Sequence, residues 1–417
     1  MGDIARPRVN IAVCGDFKQL QLIPELDKVA DLGRVYYAAR LSSNAARLQI
    51  ERSQARNLFL KEYLLQFHAR YLNHAFADTI YPLYDSLWLA AAHAAWRPCD
   101  VLHVVIQGKA VGLLQRAKRE GAAILGHPIV CHPAFFEREM RIELERLSIA
   151  PGPYVADVSN SLAEIELCDR IYCLSTLVRD SFVDAGFSAD AIDIIQLPTD
   201  LETFVPARAP AADLPFRVLC VAELNPIKGH VYLLEAWKRL NLHRSELIFV
   251  GTMRHEMKRA LQPYEGIFRY LGPLGRRDLV RLYQTSSLLV LPSVQDGFGF
   301  VVTEALACGL PAIVTEHVGA RDVIRSGVNG FVVPPRTPEA LADTIGKIHA
   351  SRSLRQSLRD GAIASRDTFP TMTDTAERIA AAYRRTYAAR FDSPKATGHK
   401  AYEPGNTKSA IVQSRSP

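Results

Sequence analysis

Apolar residues in the second half of the chain fall into two alternating patterns. Short apolar runs at 216–222, 246–251, 287–291, 312–315 and 330–333 have strand length, and segments 232–240, 276–283, 300–307, 321–325 and 338–349 interleave with them at helix-like spacing. Strand and helix taken in turn predict a parallel sheet wrapped by helices on both faces. In such a sheet ligands bind beyond the carboxyl ends of the strands, and the loop that follows 287–291 and holds Asp296 falls there.

The first half repeats the alternation less cleanly, with strand candidates at 10–14, 101–106, 122–125, 169–174 and 192–197 and a helix at 135–147. A second domain of the same kind is the economical expectation. Between the halves Pro198, Pro206, Pro210 and Pro215 recur among alanines and break regular structure, which places a hinge at 198–215. Segment 371–390 has helical spacing, with Ala376, Ile379, Ala382, Tyr383 and Tyr387 on one side. Beyond it the chain is rich in Ser, Pro, Gly, Lys and Thr and short of large apolar residues, so a disordered tail is expected. The expected divisions are 1–205, 206–370, 371–390 and 391–417.

At 417 residues, 48% hydrophobic and 23% charged, the chain suits two ordinary globular domains. Its net charge of +6 is spread along the sequence, a mild preference for anionic partners that does not require nucleic acid. The seven cysteines are odd in number, form no Cys-x-x-Cys pair and mostly sit in apolar runs, the pattern of buried reduced thiols in a reducing cytoplasm. Residues 1–7 lack the basic start and apolar stretch of a signal peptide. The longest apolar region, 87–106, is interrupted by His93, Arg97, Pro98 and Asp100, so no transmembrane helix is expected.

The chemistry concentrates at 292–309. A strand leads into a glycine-punctuated loop and then a helix, which Gly309 and Pro311 stop. Seven residues separate Asp296 in the loop from Glu304, more than one turn into the helix, so both would border one ligand. The free N–H groups and dipole at the helix start, over Gly297, Phe298, Gly299, Phe300 and Val301, suit a diphosphate. This run resembles the glutamate-x7-glutamate motif of glycosyltransferase family 4, with aspartate in the first place. The register continues through Gly309-Leu310-Pro311, Val318-Gly319 and Asn329-Gly330-Phe331. The resemblance implies an α/β GT-B fold, two Rossmann-like domains facing a central cleft, and a retaining transfer of a hexose. The donor would be a GDP- or UDP-linked sugar and the acceptor a glycan or lipid-linked molecule, in polysaccharide or glycolipid assembly. It further implies that Asp296 holds donor-sugar hydroxyls and Glu304 the ribose hydroxyls, and that neither a metal nor another cofactor takes part.

Other positions follow the family in part. Where it places an arginine and then Lys-Gly after the first strand of the second domain, this chain has Glu223 and then Lys228-Gly229, which leaves Lys228, or a substitute such as Arg254, to support the leaving diphosphate. Segment 268–273 resembles the base-binding edge, with Tyr270 and the backbone near Leu271. His132, with His127 as competitor, is the candidate for reaching the transferred sugar from the first domain, ahead of a helix carrying Glu137, Glu143 and Glu145. Gly15, ending the first strand, would allow close approach of acceptor and diphosphate. Segment 47–72 mixes Arg47, Arg52, Arg56, Lys61 and Arg70 with large apolar residues, a basic helix for packing or for peripheral contact with an anionic membrane. The competing functions are a nucleotide-sugar isomerase of epimerase type and a catalytically silent binding domain. A nicotinamide dehydrogenase fits less well, since the first strand lacks Gly-x-Gly-x-x-Gly.

Overall fold

The computed structural model describes residues 6–15, 17–39, 48, 50–51, 53–71, 77–150, 158–207 and 214–392. The tail after 392, Asp16, Arg47 and Arg52 lie outside the described residues. In the first domain the order is β1 (Arg8–Val13), α1 (Ile23–Val29), β2 (Asp31–Tyr37), β3 (Ala55–Asn57), α2 (Leu60–Tyr71), α3 (Ala77–Ala94), β4 (Val101–Ile106), α4 (Val111–Arg119), β5 (Ala123–Pro128), α5 (Pro133–Arg146), α6 (Val158–Glu166), β6 (Arg170–Cys173), α7 (Thr176–Asp184) and β7 (Ile192–Ile194). These strands form a sheet of order β3-β2-β1-β4-β5-β6-β7, parallel throughout.

The second domain runs β8 (Phe216–Val221), α8 (His230–Leu240), β9 (Ser245–Val250), α9 (His255–Leu261), β10 (Arg269–Tyr270), α10 (Arg276–Thr285), β11 (Leu288–Leu291), α11 (Phe300–Ala307), β12 (Ala312–Thr315), β13 (Gly330–Val333), α12 (Pro338–Ala350) and α13 (Arg352–Ala364). Its sheet is also parallel, in the order β10-β9-β8-β11-β12-β13. Both sheets reverse their winding beside the first strand, between β1 and β4 and between β8 and β11, and that is where a crevice opens at the carboxyl ends. The near-continuous burial of β4, β11 and β12 follows from helices covering both faces.

The last helix, α14 (Met372–Asp392), returns to the first domain. Its Ala376, Ile379, Ala382 and Tyr383 are buried in the same apolar cluster as Val9, Ile11 and Val105, and the Tyr383 hydroxyl lies 2.9 Å from Nδ1 of buried His103. Phe204 already belongs to the core of the second domain, in contact with Tyr283. Three readings of the sequence are corrected. Segment 47–72 is not one helix: β3 precedes α2, and Lys61 is buried rather than part of a solvated basic face. Strand β2 was hidden by Asp31 and by Arg34, which is buried at 3% exposure inside an apolar run. Residues 321–325 lie in and beyond a 3₁₀ turn at Gly319–Val323 rather than forming a helix.

Candidate nucleotide-sugar site

Two loops meet at the crevice of the second sheet. After β8 the chain reaches Gly229, whose φ of +69° opens α8; a Cβ there would sit 2.0 Å from the carbonyl oxygen of Pro292. Glycine therefore lets this loop lie directly on the one after β11, and the N–H of Val294 seals the contact by donating to the Ile227 carbonyl at 2.8 Å. The consequence is that Lys228 Nζ donates to Asp296 Oδ2 at 2.7 Å. Asp296 is itself fixed: its N–H donates to the His317 carbonyl and its carbonyl accepts from the Gly319 N–H, each at 2.9 Å.

Helix α11 starts at Gly299, which has φ of +85°, and carries Glu304 in its second turn. The buried Tyr283 hydroxyl approaches Glu304 Oε2 at 3.5 Å, and burial together with that carboxylate raises the phenol pKa well above its usual range. From the first domain Lys18, three residues past Gly15, donates to Glu304 Oε1 at 2.9 Å and stands 4.1 Å over the Phe300 ring. The stretch Gly297–Val301 is thus divided between two tasks. Phe298 is buried among first-domain residues, and a Cβ on Gly297 would fall 2.4 Å from the Ile129 carbonyl oxygen. The N–H groups of Phe300 and Val301, in the first turn of α11, have no acceptor within the helix, and Val301 packs its side chain on the second-domain core.

Glu223 accepts from Arg254 Nε and from Asn225 Nδ2, both at 2.8 Å, so a cation stands beside the position where the sequence lacked one. Tyr270 and Leu271 are partly exposed at the edge of the sheet; the Leu271 N–H donates to the Phe249 carbonyl, so base reading there would fall to its own carbonyl. Gly15 turns tightly, its N–H donating to the Val13 carbonyl, and a Cβ would strike the Phe17 ring at 2.6 Å.

Both candidate histidines of the first domain have local packing roles. His132 is the N-cap of α5: its Nδ1 accepts from the Ala134 N–H at 3.2 Å and its buried ring meets Phe182 edge to face. His127 is fully buried between His103 and Tyr172, and burial holds it neutral by lowering its pKa far below the usual value. His132 retains 7% exposure, and the backbone of Ile129 and Val130 between the two histidines packs against Gly297. Of the acids on α5, Glu143 crosses the domain boundary, meeting Arg336 Nε at 2.7 Å and accepting from the Tyr232 hydroxyl at 2.9 Å.

Several further residues, of which only Lys61 stood out in the sequence, brace the loops on the first-domain side. Lys61 Nζ lies 2.7 Å from Asp85, which Lys109 meets at 2.9 Å, and Lys61 also donates to the Cys14 carbonyl at the end of β1. Burial outweighs the neighbouring ammonium and pushes the Cys14 thiol up to about 11. Ser175 Oγ donates to the Gly297 carbonyl at 2.7 Å, and Thr176 donates to Asp322. These groups come from loops after β1, β4 and β6 and from a pair of helices, with no shared motif, so only the fold brings them together. All seven cysteines are free thiols, and all but Cys99 are buried. Among the described residues no helix is long and apolar enough to cross a membrane.

The strand-loop-helix around Asp296 and Glu304 sits inside a matched profile: residues 205–364 fit the family described as glycosyl transferases group 1. That match is confined to the second domain. Curated relatives of this chain include D-inositol 3-phosphate glycosyltransferases. The one from Frankia alni is 28% identical over 220 residues, 47% of this chain and 53% of its own. The one from Mycolicibacterium gilvum is 31% identical over 176 residues, 38% of this chain and 39% of its own. The chain therefore spans about half the length of the curated relatives it matches, or less. Among solved structures, sucrose-phosphate synthase from Thermosynechococcus elongatus superposes with a TM-score of 0.65 at 18% identity, covering 92% of this chain and 100% of that one. HepE from Anabaena, solved with UDP and glucose, gives 0.63 at 15% identity, covering 89% and 98%. At that identity the likeness is one of fold, and the chain has the GT-B arrangement of two Rossmann-like domains.

Proposed function

We propose that this protein is a retaining hexosyltransferase that holds a nucleoside-diphosphate sugar on its second domain and passes the sugar to a glycan or lipid-linked acceptor on its first. The observation that carries the reading is the placement of Lys228, Asp296, Glu304 and the start of α11 around one crevice, at the point where the sheet reverses. In the transfer the bond from the anomeric carbon to the diphosphate breaks, a bond to an acceptor oxygen forms, and the acceptor hydroxyl's proton passes to an oxygen of the leaving diphosphate. Lys228 and the N–H groups of Phe300 and Val301 stabilise the charge that develops on the leaving diphosphate. Asp296 accepts from sugar hydroxyls and Glu304 from the ribose diol. UDP is the nucleotide to test first, since HepE was solved with it. The assignment needs no metal or other cofactor.

The test is thermal unfolding with UDP, GDP, ADP and dTDP, run beside Glu304→Ala. One nucleotide should raise the wild-type midpoint and leave the variant unmoved. Lys228→Ala should then lower turnover by about 10²–10³-fold while the protein stays folded. No shift with any nucleotide would overturn the assignment. A lipid-linked acceptor is favoured by one feature: Phe59, Tyr63, Phe67 and Tyr71 recur every fourth residue as an exposed aromatic face along α2, with Leu83 and Leu87 exposed on α3. Flotation with phosphatidylglycerol vesicles should carry the protein upward, and Phe67→Ser with Tyr71→Ser should abolish this. Failure to float would leave glycan acceptors as the class.

A further inference from the structure

At the amino ends of β11 and β12, on the opposite side of the second sheet from Asp296, a cavity of about 280 Å³ opens between α10 and α13. Three guanidinium groups line it. Arg352, Arg355 and Arg359 recur at i, i+3 and i+7 on one face of α13, and among the described residues none of the three forms an ion pair with a carboxylate. Arg355 is partly occupied, donating to the Ile348 and His349 carbonyls that end α12. Its pKa is lowered from the usual value by burial and by the charge of Arg352, as expected of cations crowded together without a counter-ion. Arg359 makes one long contact, 3.5 Å to the Ala207 carbonyl. The rest of the lining is mixed, with Leu214, Pro215, Gly309 and Pro311 beside polar side chains, and Thr285 and Ser286 direct their hydroxyls back to carbonyls of α10, so anion recognition rests on the arginines.

We propose that this cavity is a second ligand site, separate from the nucleotide-sugar crevice, that takes the phosphoryl group of a small phosphorylated molecule. Guanidinium forks match a phosphate dianion with paired N–H donors, and the start of a 13-residue helix adds its own positive end. The cavity is larger than inorganic phosphate requires, so it has room for a phosphorylated sugar. It also touches α11 from behind. Gly309, which ends that helix with φ of +77°, forms part of the wall, and a Cβ there would lie 3.6 Å from the Arg359 guanidinium carbon. The crevice that holds Glu304 and the arginine cavity therefore sit toward opposite ends of one short rod.

The experiment is isothermal titration with glucose 6-phosphate, inorganic phosphate and unphosphorylated glucose, on wild type and on the double variant Arg352→Gln, Arg359→Gln. Arg355 is left in place because it caps α12. Circular dichroism confirms that the double variant folds, and its UDP-dependent midpoint shift serves as an independent reading of the other site. Saturable binding of glucose 6-phosphate that weakens at least tenfold in the double variant, while glucose does not bind, supports the proposal. Equal affinity for inorganic phosphate would retain the anion site but reassign its occupant to the free ion. No saturable binding of either phosphate below about 10 mM, or binding unaltered by the double variant or displaced by UDP, would overturn it.

Discussion

Lys18 stands where a ribose is expected. Its ammonium is 41% exposed while Glu304 is 12% exposed, so the ion pair is of the partly solvated kind and contributes about 0–1 kcal/mol. A nucleotide must displace this contact before its diol reaches Glu304, and Lys18→Ala is accordingly expected to tighten UDP binding up to about fivefold by calorimetry. A weaker affinity would instead make Lys18 a ligand of the diphosphate. A second residue-scale consequence concerns three buried imidazoles. Burial lowers the pKa of His103 and His230 to about 3 and holds that of His127 well below its usual value. Each ring stays neutral in the folded chain and takes up a proton only on unfolding. Below about pH 6.5 the unfolded state binds protons that the native state refuses. Stability therefore falls as pH drops from about 6.5 toward 3, by about 1.4 kcal/mol per unit for each such group. Thermal midpoints at pH 7 and 5 should show the fall, and His230→Leu should make it shallower.

At the scale of elements, α11 and α5 hold the domains together from opposite sides of the cleft. Gly297→Ala would force a methyl group into the Ile129 carbonyl and separate the two domains there. A larger radius of gyration in solution scattering and weaker UDP binding are the expected outcomes. Arg336, at φ of +57°, meets Glu139 and Glu143, both nearly fully buried. Arg336→Ala removes the guanidinium paired with buried Glu143 and leaves Glu139 paired with Arg138, and should cost about 3–5 kcal/mol in denaturant unfolding. Replacing both glutamates by glutamine in the same variant should recover part of that loss. Much of the second domain could be read in advance because β8, β11 and β12 are apolar runs bounded by Gly and Pro, and because Gly229 and Gly299 mark turns that only glycine adopts easily. The first domain was less legible: Asp31 and Arg34 disguised β2, and α2 and α3 depart from simple alternation. Lys18, Lys61 and Asp85 carry no local signal, since their meaning arises from loops far apart in sequence. The capping role of His132 was not anticipated, because a histidine before Pro133 carries no distinct capping signal in the sequence.

On the scale of the whole molecule, α14 makes the first domain depend on the far end of the chain. Ending the protein at 371 removes Ala376, Ile379, Ala382 and Tyr383 from a cluster they share with β1 and β4. Such a truncation should lose the cooperative unfolding transition of the first domain, and retention of that transition in calorimetry would show α14 to be dispensable. The chain thus crosses between domains twice, and each crossing is tied down on both banks. On the first-domain side Thr375 donates to the Gln196 carbonyl and Arg378 to that of Ile194. On the second-domain side Arg366 donates to the carbonyls of Leu201 and Phe204. Only 197–200 and 367–374 remain between these ties, and each contains a proline of fixed φ, Pro198 and Pro370. Two short pins set side by side act as a door hinge: sliding and twisting are suppressed, and one swing remains. In the proposed reading, opening along that arc would part Lys18 from Glu304 and Arg336 from α5 in the same movement, so that donor entry and release of the α5 contacts would be one event rather than two.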